Sequence, residues 1–422
     1  MLYRWLLMMK KPGNRLWVTP ALGAILATLF AFAAKLVNVW LPPDILPDIE
    51  LSTLEGLLDV IASSMLAVST FSLSIMVSAF ASASSGATPR ATELVMGDDN
   101  TRMAIASFIS AFIYAIIAKT ALGMGFYAQN GRFVLFVSTA LVLAYLIITL
   151  IRWVHTLSQL GRMGNTLDKI YEATRTSLLN YRRNPQMGAA WEGVAGPNAI
   201  ELYAEEGGYL THIDMASLQK QAEALDGHIH IAVRPGQLVI PGNLLARIAA
   251  ENVEDFDALR RCFVLNISRT YEQDPGWGLV VLSEAAQRAL SPAVNDPGTA
   301  VNVMARMMRL LIEARPDKDE APDGIAYDRL ALVPMPGGRW IRDSFGPIAR
   351  DGAGIVEVGE MLQEVLAAVW CGVPEADVAQ AAADMAVQAL ARAGDAGLFS
   401  ADLAILQKRH ETLFAANAPA TA

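Results

Sequence analysis

The sequence predicts a membrane α-helical protein: four transmembrane helices followed by an α+β cytoplasmic domain with a small β-rich subdomain and a helical C-terminal part. Three observations predict it. Of the 422 residues, 53% are hydrophobic and 18% charged, against about 25% charged in an ordinary soluble domain, and the mean hydropathy is +0.34. The charge is unevenly divided: residues 1–154 hold 10 Lys+Arg and 8 Asp+Glu, a net of +2, whereas the other 268 hold 23 and 34, a net of −11. The front third carries four long apolar runs, and the rest alternates β-like and helical periodicities. A disordered chain is excluded and a single soluble globule is disfavoured. The acidic back also argues against nucleic acid as a partner. Cys262 and Cys371 are too few for a disulfide framework and belong to no ligand cluster, so neither metal nor cofactor is expected.

The first span is read at 17–40, polar only at Thr19, Thr28, Lys35 and Asn38. At 1.5 Å per residue it exceeds a hydrocarbon core of roughly 30 Å. A cleaved signal peptide is the rival reading, with Ala31-Phe32-Ala33 as its site, but the apolar run continues to Trp40 and favours a retained anchor. Residues 57–83, 103–127 and 133–154 pass the same length test, with Trp17, Trp40, Tyr127 and Trp153 at span ends where aromatic belts occur. Arg4, Lys10, Lys11 and Arg15 precede the first span, Arg90 and Arg102 follow the second, and Arg162 and Lys169 follow the fourth. The positive-inside rule then places both termini of this multi-pass protein in the cytoplasm. The expected layout is a four-helix domain at 1–154, an amphipathic helix continuing the fourth span at 155–184, a β-rich subdomain at 198–252, a mainly helical part at 253–416 and a frayed tail at 417–422.

Three charges lie within the spans at depths that agree to about one helical turn: Lys35, Asp59 and Lys119. Ionisable groups in a bilayer pair with one another or face a bundle interior, so Asp59 is expected to neutralise Lys35, Lys119 or both. For Lys35 the alternative is snorkelling to the outer headgroups. On the second span, Ser63, Ala67, Thr70, Ser74, Ser78 and Ala81 project onto one face. Such a small polar face suits close helix packing, the preferred reading, or the lining of a wet path.

Beyond the spans, Leu157, Leu160, Met163, Leu167, Ile170, Thr174 and Leu178 recur at steps of three and four, extending the fourth span as a helix to about residue 180. Between 200 and 248 the signals are mostly β: ELYAEE, YLTHI, HIHIAV, QLVI and LLARI, punctuated by Gly207-Gly208, Asp226-Gly227, Pro235-Gly236 and Pro241-Gly242, with a short helix at 215–225. RPGQLVIPGNLLARI is similar to one half of a lipoyl-type barrel, yet no lysine occupies a hairpin tip, so cofactor attachment is not supported. His212, His228 and His230 cluster without diagnostic metal spacing, and a half-exposed strand face is the preferred reading over a metal site. The tail reads as helices at 355–371, 374–393 and 400–416, preceded by a strand at 331–335 and a polar Gly- and Pro-containing loop at 339–350.

The densest polar strings are RTYEQDPGWG at 269–278 and RALSPAVNDPGTA at 288–300. Each contains an Asp-Pro pair, the composition of a helix start, which predicts helices at 275–290 and 297–314. The functional alternative is an anion site in which two helix N-termini join Arg269 and Arg288, with Asp274, Asn295 and Asp296 alongside; capping is the preferred explanation.

These paired strings, behind four spans and a PGQLVIPG segment, resemble the bacterial predicted-membrane-protein family called domain of unknown function 2254. The likeness runs from the first span to about residue 310. It implies an integral membrane protein with an N-terminal four-helix region and a cytoplasmic domain, and it brings no reaction, ligand or catalytic residue with it. Three functions compete. An oligomeric channel- or transporter-like protein with a cytoplasmic regulatory domain is preferred, with the lipid bilayer, further copies of the chain and an anionic ligand or ion as partners. A membrane-anchored scaffold or sensor, binding a cytoplasmic partner or anionic ligand, is the alternative. An enzyme is not expected: there is no P-loop, G-x-S-x-G or H-E-x-x-H, and Glu272, Asp274 and Glu284 alone are weak acid–base evidence.

Overall fold

A computed structural model describes residues 21–22, 25, 28–29, 46–92, 94, 99–159, 161–316 and 326–416. The chain divides into two compact units, Met1–Thr166 and Leu167–Ala422. The first span and Lys35 lie outside the described residues, apart from isolated helical positions between 21 and 29. Among the described residues, three helices are long and apolar enough to cross a membrane. They are α1 (Leu51–Gly86), α2 (Asp99–Gly123) and α3 (Gln129–Gln159). At 36 residues, α1 extends roughly 54 Å, well past a hydrocarbon core.

Within the first unit, Leu54, Leu58, Ile61 and Met65 of α1 share a core with Phe108, Ala111, Ala115 and Ala118 of α2 and Leu135, Leu146 and Trp153 of α3. The alanines let the helices approach closely, the usual device where lipid removes the hydrophobic drive to associate. Tyr114 Oη lies 3.0 Å from Ser138 Oγ and 3.1 Å from Thr139 Oγ1, a buried hydroxyl cluster joining α2 to α3. The segment before α1 is tied to the start of α3 by Arg132 donating to Asp48 at 2.6 Å and Gln129 Nε2 to Leu46 O at 2.9 Å.

The expected unbroken extension of the fourth span is two helices: α3 stops at Gln159 and α4 spans Met163–Arg183. Gly161 between them has φ +77°, a left-handed conformation that ends a helix and that only glycine adopts without strain. The apolar steps carry on across this break because α4 has its own buried stripe, Leu167, Ile170, Thr174 and Leu178.

In the second unit, the β signals become β1 (Ile200–Tyr203), β2 (Gly208–Ile213), β3 (His228–Ile231), β4 (Leu238–Val239) and β5 (Leu244–Ala249), with α5 (Met215–Ala224) after β2. The β-rich part does not close at residue 252. After α6 (Phe256–Arg260), β6 (Phe263–Asn266) pairs with β2, and β7 (Leu330–Leu332) adds to β3 in parallel. The strands form two sheets, ordered β1-β5-β3-β7 and β4-β2-β6. Leu202, Ile229, Ile231 and Ile248 of one sheet and Leu210, Val239 and Phe263 of the other bury themselves in a common core, which Leu218 of α5 completes.

The rest is helical: α7 (Trp277–Ala289), α8 (Pro297–Glu313), α9 (Gly338–Asp351), α10 (Val356–Gly372), α11 (Ala376–Asp395) and α12 (Ser400–Ala416). The polar loop read at 339–350 is helix α9. Trp340, Ile341, Ser344, Phe345, Ile348 and Ala349 repeat at helical spacing and are buried, and this packing overrides the Gly346-Pro347 break. Arg182, near the end of α4, clamps the helices together: it grips both oxygens of Glu375 at 2.9 Å and donates at 2.7 Å to the carbonyls of Ala314 and Leu311 at the end of α8. A guanidinium there satisfies carbonyls that the helix itself leaves unpaired.

Candidate functional site

Asp59 and Lys119 meet: Lys119 Nζ donates to Asp59 Oδ1 at 2.5 Å, joining α1 to α2. Ser63, Thr70, Ser74 and Ser78 lie on the exposed side of α1, while Met65 and Met76 turn inward. Ser63, Thr70 and Ser74 each donate to the backbone carbonyl four residues earlier, so these hydroxyls are satisfied within their own helix.

The five residues of the second-unit anion site do not converge. Arg269 and Asp274 precede α7, whereas Arg288, Asn295 and Asp296 lie at or beyond its far end; thirteen residues of helix separate the two groups by roughly 20 Å. Arg288 and Asn295 are exposed. Asp296 caps α8, accepting from Thr299 N at 3.0 Å and Thr299 Oγ1 at 2.6 Å, with Pro297 in the first turn. These bonds hold its carboxyl below the usual carboxylate range. Here the local capping explanation accounts for the string.

The first string works differently. Helix α7 begins at Trp277, and Asp274 is buried. One of its carboxylate oxygens takes Arg269 Nε at 2.7 Å, the other Gly276 N at 3.2 Å. Burial pushes the Asp274 carboxyl up against the opposing pull of Arg269. The Arg269 guanidinium lies 4.7 Å from the centre of the Trp277 ring, a cation–π stack. Gln273 accepts from Ile213 N of β2 at 2.9 Å. The string therefore joins the sheets to α7. Gly236, in the Pro235-Gly236 turn, faces it with φ +92°, and a Cβ there would fall 2.3 Å from Asp274 Oδ2.

This junction borders a cavity of about 400 Å³ lying wholly in the second unit, within the size range of small-molecule sites. Ser177, Asn180 and Tyr181 of α4 form one wall, His212 and Asp214 at the end of β2 another, and Glu272, Gln273, Tyr327 and Met335 much of the remainder. Asp214 is engaged as the cap of α5, bonded to Ser217 N at 3.0 Å and Ser217 Oγ at 2.7 Å. Arg234 lines the same cavity and is 1% exposed. It donates to Val333 O at 2.5 Å, Pro185 O at 2.8 Å and Gln186 Oε1 at 3.2 Å. Burial lowers its guanidinium to about 10.

Sequence reasoning missed Arg234 and Ser177. The available signal for Arg234 was a charge at the end of the apolar strand HIHIAV, beside a Pro-Gly turn. Ser177 leaves no signal in sequence. The histidines divide: His228 stacks on Trp191 at 4.8 Å, His230 sits opposite Arg247, and only His212 reaches the cavity. Among the described residues, no group of three His, Cys, Asp or Glu side chains is arranged to hold a metal.

Comparison with known proteins adds the family. The family described as "Predicted membrane protein (DUF2254)" matches residues 13–368, and the chain belongs to it. Uncharacterized proteins of Mycobacterium bovis and Mycobacterium tuberculosis are 27% identical to it over 289 residues, covering 65% of this chain and 54% of theirs. The chain thus spans about half the length of these curated relatives. No solved structure matches it.

Proposed function

We propose that this predicted membrane protein is a membrane-anchored sensor, held in the bacterial inner membrane by its apolar helices, whose Leu167–Ala422 unit faces the cytoplasm and takes up a small ligand. One observation carries the reading: the roughly 400 Å³ cavity is walled by Glu272, Gln273 and Pro275 of the 269–278 string together with Arg234 and Pro235, within the span that matches the family. The reading is not enzymatic. A thermal-shift screen of the full chain in detergent against small metabolites tests it. A ligand at about 100 times its dissociation constant adds roughly 2.7 kcal/mol, so a binder raises the melting midpoint. Asn180→Trp, which sets an indole into the wall, is expected to abolish the rise. A screen in which no compound shifts the wild type contradicts the reading.

A second reading, the channel-like homo-oligomer, draws on the exposed hydroxyl face of α1 beside the Lys119–Asp59 pair. A polar face of this kind gains most when another helix covers it. Particle images supply the subunit count and the position of α1 relative to the symmetry axis, and liposome flux reports conduction. A monomer without flux contradicts this reading.

A further inference from the structure

Resting on the reading of the cavity as a ligand site, we infer that its ligand is a small organic anion, one carboxylate or phosphate group seated against Arg234 and Ser177 with an apolar or planar body beside Tyr181, Tyr327 and Met335. Two independent features point to it. The first is an uncompensated buried charge. Arg234 is 1% exposed, yet among the described residues no carboxylate pairs with it, and its partners are the neutral oxygens of Val333, Pro185 and Gln186. A guanidinium has five N–H donors, and three are used. A buried cation ordinarily has an anionic partner, because the cost of removing it from water is large.

The second feature is Ser177. It is 4% exposed, it lines the cavity, and its Oγ has no hydrogen-bond partner among the described residues. Neighbouring hydroxyls on the same helix, Thr174 and Thr176, bond back to Ile170 O and Glu172 O. An unpaired buried hydroxyl is uncommon in a native fold, and an acid oxygen in the cavity supplies its acceptor. The remaining wall suits the rest of such a ligand. Tyr181, Tyr327, Met187, Met215 and Met335 are apolar or polarisable, and Asn180 and Asn184 offer amides. Of the two acids in the wall, Asp214 is occupied by its cap and Glu272 is exposed.

The test is calorimetric titration of the full chain in detergent with two matched pairs of probes: adenosine monophosphate against adenosine, and benzoate against benzyl alcohol. The expected result is that at least one acid binds about tenfold or more tightly than its neutral partner, and which acid does so separates phosphate from carboxylate recognition. Ser177→Ala, which removes no bond from the fold, is expected to weaken that acid about three- to tenfold, and Arg234→Met to abolish it. Should Arg234→Met fail to fold, Ser177→Ala decides. Equal affinity for an acid and its neutral partner overturns the anion assignment and leaves the cavity as a ligand site. Acid binding untouched by Ser177→Ala and Arg234→Met overturns it too. Absence of binding by all four probes overturns the anion assignment for both acid classes, while the metabolite screen still decides the cavity reading.

Discussion

Gly236 and Gly242 form a matched pair for testing the junction between sheets and helices. Each follows a proline in a turn, with φ +92° and +87° respectively, and each pays the same backbone strain when replaced by alanine, about 1–2 kcal/mol for a left-handed residue. They differ in what a Cβ meets. At Gly242 nothing lies within 4 Å, whereas at Gly236 the added carbon falls 2.3 Å from Asp274 Oδ2 and 2.6 Å from its Cγ. Asp274 must then move off Arg269, breaking a buried ion pair, a loss of about 3–5 kcal/mol. Gly236→Ala is therefore expected to cost about 4–7 kcal/mol and Gly242→Ala about 1–2. For a unit of this size each kcal/mol lowers the midpoint by about 2–4 °C. Thermal melts of both full-length variants, followed by tryptophan fluorescence, read the difference. Equal midpoints would refute the close approach of Gly236 to Asp274 and with it the junction as described.

Gly278→Ala brings a Cβ to within van der Waals overlap of Thr174 Oγ1, at 1.8 Å, and of Thr174 Cβ, at 2.7 Å; a loss of about 3 kcal/mol or more is expected in denaturant titration, partly restored by Thr174→Ala. Arg182→Ala leaves Glu375 and the carbonyls of Leu311 and Ala314 without their guanidinium, and a loss of about 3–5 kcal/mol in the same titration is expected. Asp296→Ala removes the α8 cap at a cost of about 1 kcal/mol at pH 7. Because Thr299 holds the Asp296 carboxyl low, its contribution is present above about pH 4 and fades as the pH falls further, so wild type and variant should converge in melts toward pH 2. Cys262 is buried and its thiol is pushed up to about 11, whereas Cys371 is exposed; iodoacetamide at neutral pH should label one cysteine by mass spectrometry, and two after denaturation.

What could be read in advance followed local periodicity. The strand HIHI alternates half-buried and buried residues along one element, and the terminal helices carry both their apolar stripes and their stop signals nearby. The errors came where tertiary packing overrode punctuation or continued a pattern past a break. Gly346-Pro347 reads as a loop signal, but six buried side chains of α9 outweigh it. Leu157, Leu160 and Met163 keep helical spacing across Gly161, and spacing alone carries no trace of the positive φ there. The sheet partners β6 and β7 arrive from outside the β-rich stretch, which no window on that stretch can register. The two Asp-Pro strings look alike in composition, yet Asp296 caps a helix while Asp274 is buried against Arg269. The cavity residues were the least legible, since Ser177 and Arg234 are 57 positions apart and are united only by the fold.

The cavity bordered by the 269–278 string is assigned to an acid seated against Arg234. A side-chain-resolution map of the full chain in lipid nanodiscs, recorded with the tighter-binding of the two probe acids, tests it most directly. The expected map shows non-protein density bridging the Arg234 guanidinium and the Ser177 hydroxyl, with the ligand body against Tyr181 and Tyr327. A cavity closed by the chain's own side chains, with Arg234 paired to one of its own carboxylates, would contradict it.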